Sequence, residues 1–231
     1  MELIWLGLIE AYRLIVTLDP MVMAAAVRTI VISTLAVTLS TLVGLPIGTL
    51  LGRAQFPGRH LIVMACRGGM AVPTVFIGIV CYGLFSRRGP MGPLQLLFTP
   101  WVIVAGEFIL ALPIVLSITQ GAVKALDRRV GETALTLGAG PFRRWRTYIG
   151  EARVGVTLGI LTAFARCVTE LGIAMMVGGD IPNRTRTLAT ATALETRKGN
   201  FGQGMAVGLI LVAVALLVTV AIVQLSQADK E

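Results

Sequence analysis

The chain has 231 residues, of which 55% are hydrophobic and 14% charged, and its net charge is +8. A soluble domain carries roughly a quarter of its residues as charges; here the apolar residues run uncharged over the roughly 20 positions a helix needs to cross a bilayer, so a soluble fold is excluded. The basic excess falls in loops between apolar runs, the pattern of a cytoplasmic membrane face rather than of a nucleic-acid binder, and no nucleic-acid partner is expected.

Residues 3–18 are apolar but interrupted by Glu10 and Arg13, with Trp5 and Tyr12 suited to an interface. They are predicted to form a helix lying along the membrane surface, ended by Asp19-Pro20. The first span is predicted at 29–52, free of charge and kinked at Pro46 between Gly44 and Gly48. A polar loop leads to the second span, 61–85, which holds Arg67, Gly68-Gly69 and Pro73. After a loop rich in Gly and Pro comes the third span, 101–120, with Glu107 and Pro113 inside it. The fourth, 154–177, contains Arg166 and Glu170, and the fifth is 204–225. The expected fold class is therefore all-α, a polytopic bundle of about five spans in one domain over 1–231.

Two polar stretches separate the later spans, 121–153 and 178–203. The first carries seven Lys/Arg, which predicts a cytoplasmic location for it and for the C-terminus, with the N-terminus outside. Cys66, Cys81 and Cys167 all lie in apolar runs and His60 stands alone in a loop, so neither a metal site nor a catalytic constellation is expected. No GxxxxGK[ST] phosphate loop occurs, so any ATP hydrolysis belongs to another subunit.

A charge at the centre of a spanning helix costs roughly 2.5–3.5 kcal/mol and normally faces the bundle interior or a water-filled cavity. Arg166 and Glu170 are four apart, so they share a helix face and can pair. With Glu107 they either border a translocation path or gate, or tie helices together. Arg67 either joins them or snorkels to the interface.

The segment 132–148 and its continuation, ETALTLGAGPFRRWRTYIGEARVGV, alternates small and apolar residues around Gly138 and Gly140-Pro141, which suggests two short helices joined by a bend. Glu132-Thr133-Ala134, then Gly138-Ala139, resembles the EAA loop of ABC importer permeases. The stretches 71–78, 132–139, 170–180 and 193–199, in that order, resemble most the tungstate-type permeases, relatives of the molybdate and sulfate permeases. Three features depart from the family pattern. There is no Leu-Pro after the coupling glycine, Arg67-Gly68-Gly69 with a single Pro73 replaces a double proline, and Gly-Gly-Asp at 178–180 stands where relatives often have Gly-Gly-Asn.

The resemblance implies a type I importer permease in the bacterial inner membrane, acting as a homodimer with two copies of a cytoplasmic ATPase and an extracytoplasmic oxyanion-binding protein. Glu132, Thr133, Ala134, Gly138 and Ala139 would form the ATPase-coupling loop, and Arg184, Arg186, Arg197 and Lys198 a contact for the binding protein. No cofactor is expected on this chain, since Mg-ATP would be used by the partner, and membrane lipid surrounds it. Molybdate or sulfate is the alternative cargo. A secondary anion exchanger is the alternative of another class, disfavoured by five spans with no visible inverted repeat.

Overall fold

The computed structural model describes residues 2–228, all helices and connections, with no strand among them. In chain order the helices are α1 (Glu2–Val16), α2 (Pro20–Arg53), α3 (Arg59–Gly69), α4 (Thr74–Phe85), α5 (Pro100–Ala125), α6 (Arg128–Thr136), α7 (Pro141–Glu151), α8 (Arg153–Val168), α9 (Leu188–Arg197) and α10 (Phe201–Ala228). Three of them are long and apolar enough to cross a membrane: α2, α5 and the 201–221 part of α10. The chain divides into two compact units, Met1–Ala36 with Pro73–Glu107 and Ala165–Glu231, and Val37–Val72 with Phe108–Phe164. The division falls inside α2, α5 and α8.

The second unit is built on glycine. Gly44, Gly48 and Gly52 recur every four residues on α2, and an added Cβ at each would come within 2.9 Å of Val115, Thr119 or Val123 on α5, themselves four apart. Gly155 and Gly159 of α8 press on Ala122 and Ile118 of the same α5 in the same way. In lipid there is no hydrophobic force between helices, so close backbone approach through small residues supplies the attraction. Pro46 lies inside α2 without ending it.

In the first unit α1 lays Ala11 and Leu14 into a cluster with Ala25 and Ala26 of α2, Leu188 of α9, and Ala206, Val207 and Ile210 of α10. Gly7 lets α1 approach Met205 of α10. Trp5 and Tyr12 are exposed, and α1 is docked along α10.

The structure departs from the expected spans in four places. The stretch 61–85 is not one helix: α3 and α4 meet at 101°, with Met70–Pro73 between them. Pro73 has no N–H to continue the ladder and disfavours helical backbone at Val72, which accounts for the break. The stretch 154–177 also divides. Helix α8 ends at Val168, and a π-helical turn follows at Ala174–Gly178. Glu170 causes this break, because its Oε1 accepts a hydrogen bond from Ile173 N at 3.0 Å and so caps the next turn with its side chain. The first span begins earlier than 29, since Asp19 caps α2 by accepting from Met21 N and Val22 N at 3.0 Å. Inside the polar stretch 178–203 a further helix, α9, begins with a reciprocal Thr187–Thr190 capping box. The polar tail read after residue 225 runs beyond the described residues at 229–231.

Candidate functional site

The segment expected to couple to an ATPase folds as a helical hairpin, α6 and α7. Asp127 starts α6 by accepting from Arg129 N at 2.9 Å. Its end is a Schellman turn: Ala139 N donates to Ala134 O and Gly138 N to Leu135 O, both at 2.9 Å. Gly138 sits at φ +74°, the left-handed conformation that favours glycine, with open space around it. Pro141 then opens α7 from the N1 position, where its missing N–H costs nothing.

Ala134 and Tyr148 are buried faces of the hairpin, and Gly131 leaves room for the Tyr148 hydroxyl. Tyr148 also packs with Val123, Ala152 and Val156, which fixes the hairpin to α5 and α8. From the end of α2, the Arg53 guanidinium lies 4.8 Å over the Tyr148 ring and donates to Leu126 O and Asp127 O at 3.2 Å. The side left open carries Glu132, Thr133, Leu135, Leu137 and Gly138 on α6 and its turn, and Phe142 on α7. Leu137 is 81% exposed, an apolar side chain with no cover in this chain. Sequence reasoning named the Glu-Thr-Ala and Gly-Ala positions but missed Leu135, Leu137 and Phe142. Large apolar residues in a strongly charged loop were the available signal.

The intramembrane charges gather in the first unit. Arg166 Nη1 lies 3.1 Å from Glu170 Oε2, with the Glu170 side chain 1% exposed and that of Arg166 43%. Glu170 is therefore held from both sides, by Arg166 and by Ile173 N, while Arg166 keeps part of its guanidinium open. Glu107 is buried, its polar neighbours are Ser33 and Glu170, and its Oε2 has no hydrogen-bond partner among the described residues. The three expected residues do come together. They lie beside the two helix breaks, where Gly172 packs on Thr74 and Val75, and Gly78 on Met176. Arg67 belongs to the second unit, with Nη2 3.5 Å from Gln120 Oε1.

The basic residues of 178–203 separate into different roles. Arg186 donates from Nε to Asp180 Oδ1 at 3.0 Å and from Nη2 to Oδ2 at 3.3 Å, with the two side chains 14% and 9% exposed. Its carbonyl accepts from Arg28 Nε at 2.9 Å. It is thus a structural clasp, with its guanidinium already engaged within the chain. Asp180, the family departure noted above, is its partner. Thr185 Oγ1 completes the turn by donating to Gly178 O at 2.7 Å and accepting from Ile181 N at 2.9 Å. Arg184 is exposed. Lys198 Nζ and Asn200 Nδ2 both hold Glu195, at 2.8 and 2.9 Å, and these contacts pull its carboxyl below the ordinary glutamate range, Asn200 most strongly. Arg197 is exposed, with Nη2 3.9 Å from Met175 Sδ.

Comparison with known proteins gives these features a family. Residues 44–229 match the model of the binding-protein-dependent transport system inner membrane component. A probable anion ABC transporter permease protein of Haloferax volcanii is 37% identical, covering 80% of this chain and 82% of that one. The tungstate uptake system permease protein TupB of Peptoclostridium acidaminophilum is 30% identical over 98% of this chain and all of that one. Among solved structures, a chain of the MetNI methionine ABC transporter in inward-facing conformations, 18% identical, superposes with a TM-score of 0.70 over 91% of this chain and 98% of that chain. The fold is that of a type I importer permease, and the chain belongs to the binding-protein-dependent transport system inner membrane component family, the multi-pass transmembrane subunits of ABC importers.

Proposed function

We propose that this chain provides the translocation path of an importer for a tetrahedral oxyanion, tungstate first. The observation that carries this reading is the similarity to a tungstate permease over 98% of this chain and the whole of the relative. The alternative is molybdate or sulfate, supported by relatives named as a molybdenum and a sulfate permease at 32% and 26% identity.

The working assembly would be two copies of this chain, two ATPase subunits that bind Mg-ATP, and an extracytoplasmic binding protein. The N-terminus would lie outside and the C-terminus in the cytoplasm. The α6–α7 hairpin would be the contact with the ATPase. Its exposed Leu135, Leu137 and Phe142 give it an apolar surface that needs a partner, and Glu132, Thr133 and Gly138 border them. Because Tyr148 and Arg53 fix the hairpin to its neighbouring helices, movement of the docked ATPase would be passed to the bundle rather than absorbed in a loop. Alternating access follows when ATP and its hydrolysis favour different arrangements. Selection of the dianion would rest mainly with the binding protein. In this chain the part-open Arg166, held by Glu170 next to the helix breaks, would line the path, with Glu107 behind it. Arg184, Arg197 and Lys198 remain for the binding protein, where exposed charge mainly tunes encounter rate.

The test is uptake of labelled tungstate by cells with and without this gene, with excess molybdate or sulfate as competitor. Gene-dependent uptake that survives excess molybdate is expected. Uptake abolished by molybdate would point to a shared or molybdate-first system, and no gene-dependent uptake would refute tungstate as the cargo.

A further inference from the structure

Where α2 and α5 end against the α6–α7 hairpin, a cavity of about 390 Å³ is lined by Arg53, Arg59, Lys124, Arg128 and Arg144, with Glu132 as its single acidic residue. Five cations against one anion leave an excess of four charges in one concavity. Among the described residues these cations are not neutralised. Arg59 Nε donates to Leu51 O at 2.6 Å and Arg53 Nη2 to two carbonyls, which hold these guanidiniums in place without neutralising them. Among the described residues neither Lys124, Arg128 nor Arg144 forms an ion pair. Among the described residues the Nε atoms of Arg53 and Arg144 are buried with no hydrogen-bond partner, the state of donors waiting for an acceptor.

A second cavity of about 470 Å³ opens beside the first and shares Arg53, Ala54, Arg144 and Tyr148 with it. Its remaining lining is mainly apolar and includes Pro46, Leu50, Pro141 and Trp145. A basic pocket that continues into an apolar groove, at the ends of two helices able to cross the membrane, has the two-part chemistry of one ligand class. A free oxyanion would use the charges and leave the groove empty. A neutral lipid would fill the groove and leave the charges unmet.

We propose that this is a binding site for an anionic phospholipid, its headgroup phosphate held by Arg53, Arg144 and Lys124 and an acyl chain lying over Leu50 and Trp145. The site rests on the reading that this end of α2 faces the cytoplasm, where anionic headgroups attract basic segments. It joins α2 to the hairpin at Arg53 and Tyr148, so its occupancy would stiffen that connection.

Trp145 reports on the groove directly. The full chain, with Trp5→Phe and Trp101→Phe leaving Trp145 as its one indole, is titrated in mixed micelles with phosphatidylglycerol or phosphatidylcholine bearing brominated acyl chains. Quenching by phosphatidylglycerol at lower mole fraction than by phosphatidylcholine is expected. That preference should fall about fivefold for each charge removed in Lys124→Gln and Arg144→Gln. Arg144→Lys, which keeps the charge, should retain it and shows that the fold survives substitution there. Equal quenching by the two lipids would overturn the proposal, as the groove would then be ordinary lipid-facing surface. Relief of quenching by millimolar inorganic phosphate or tungstate would overturn it in favour of a free oxyanion site. The tungstate uptake result is independent of either outcome.

Discussion

The Asp180–Arg186 clasp separates a structural cation from a docking cation, and its removal should be felt in stability before it is felt in transport. Both side chains are nearly buried, at 9% and 14% exposure, and two N–H to oxygen contacts join them, at 3.0 and 3.3 Å. Removing one partner strands the other charge in a poorly solvated site. For a buried pair that costs roughly 3–5 kcal/mol, and the residual exposure here favours the lower figure, about 3 kcal/mol. In a chain of this length 1 kcal/mol moves Tm by roughly 2–4 °C, so Arg186→Ala or Asp180→Ala should lower Tm by roughly 6–12 °C. The assay is thermal unfolding of the detergent-purified permease at a fixed scan rate, with the double variant closing the cycle. The double variant should lose less than the sum of the singles, because neither charge is then left alone. Arg184→Ala, at an exposed position, should leave stability within about 0.5 kcal/mol of the parent and act, if at all, on the rate of binding-protein encounter. A Tm unchanged by Arg186→Ala, with encounter slowed instead, would refute the reasoning and return Arg186 to the docking surface.

Leu137→Glu, at a side chain 81% exposed, should leave Tm unchanged while reducing co-purification of the ATPase subunit and ATP-driven uptake; intact coupling would show that the hairpin's apolar tip is not the contact. Gly48→Val should be far more costly than its size suggests, because the new Cβ meets Thr119 Cβ at 2.9 Å and Leu116 O at 3.0 Å; roughly 1–3 kcal/mol of overpacking is expected, read as a lower Tm. Glu195 is held below the ordinary glutamate value by Asn200 and Lys198, so its folded form binds a proton less readily than the unfolded one. Its stabilising contribution is complete above about pH 4.3 and is lost as pH falls through the lowered folded value. Glu195→Gln should abolish that part of the acid dependence of Tm, and an unaltered profile would contradict it.

Much of this architecture was legible because a bilayer leaves few options. Runs of apolar residues at the positions of α2, α5 and α10 allow only helices, and the seven basic residues between 121 and 153 could not be buried. The breaks were less legible. Pro73 signals interruption in any helix, but nothing in its spacing says whether the chain kinks or turns through 101°. Glu170 was read as a charge seeking Arg166, which it finds, while its second oxygen ends one helix and caps the next turn. That second role depends on φ and ψ at 169–173, which a count of apolar residues over 154–177 does not contain. The same limit explains Arg186. In sequence it is one of several basic residues in a polar stretch, and only the turn built by Gly179 at φ +72° and Asp180 at φ +49° brings the carboxylate around to it. Polar residues that close turns look the same in sequence as polar residues that meet partners. The distinction lies in which donors and acceptors the folded chain has already used, and by that measure Arg166, Leu137 and Arg144 are the residues with interactions still to make.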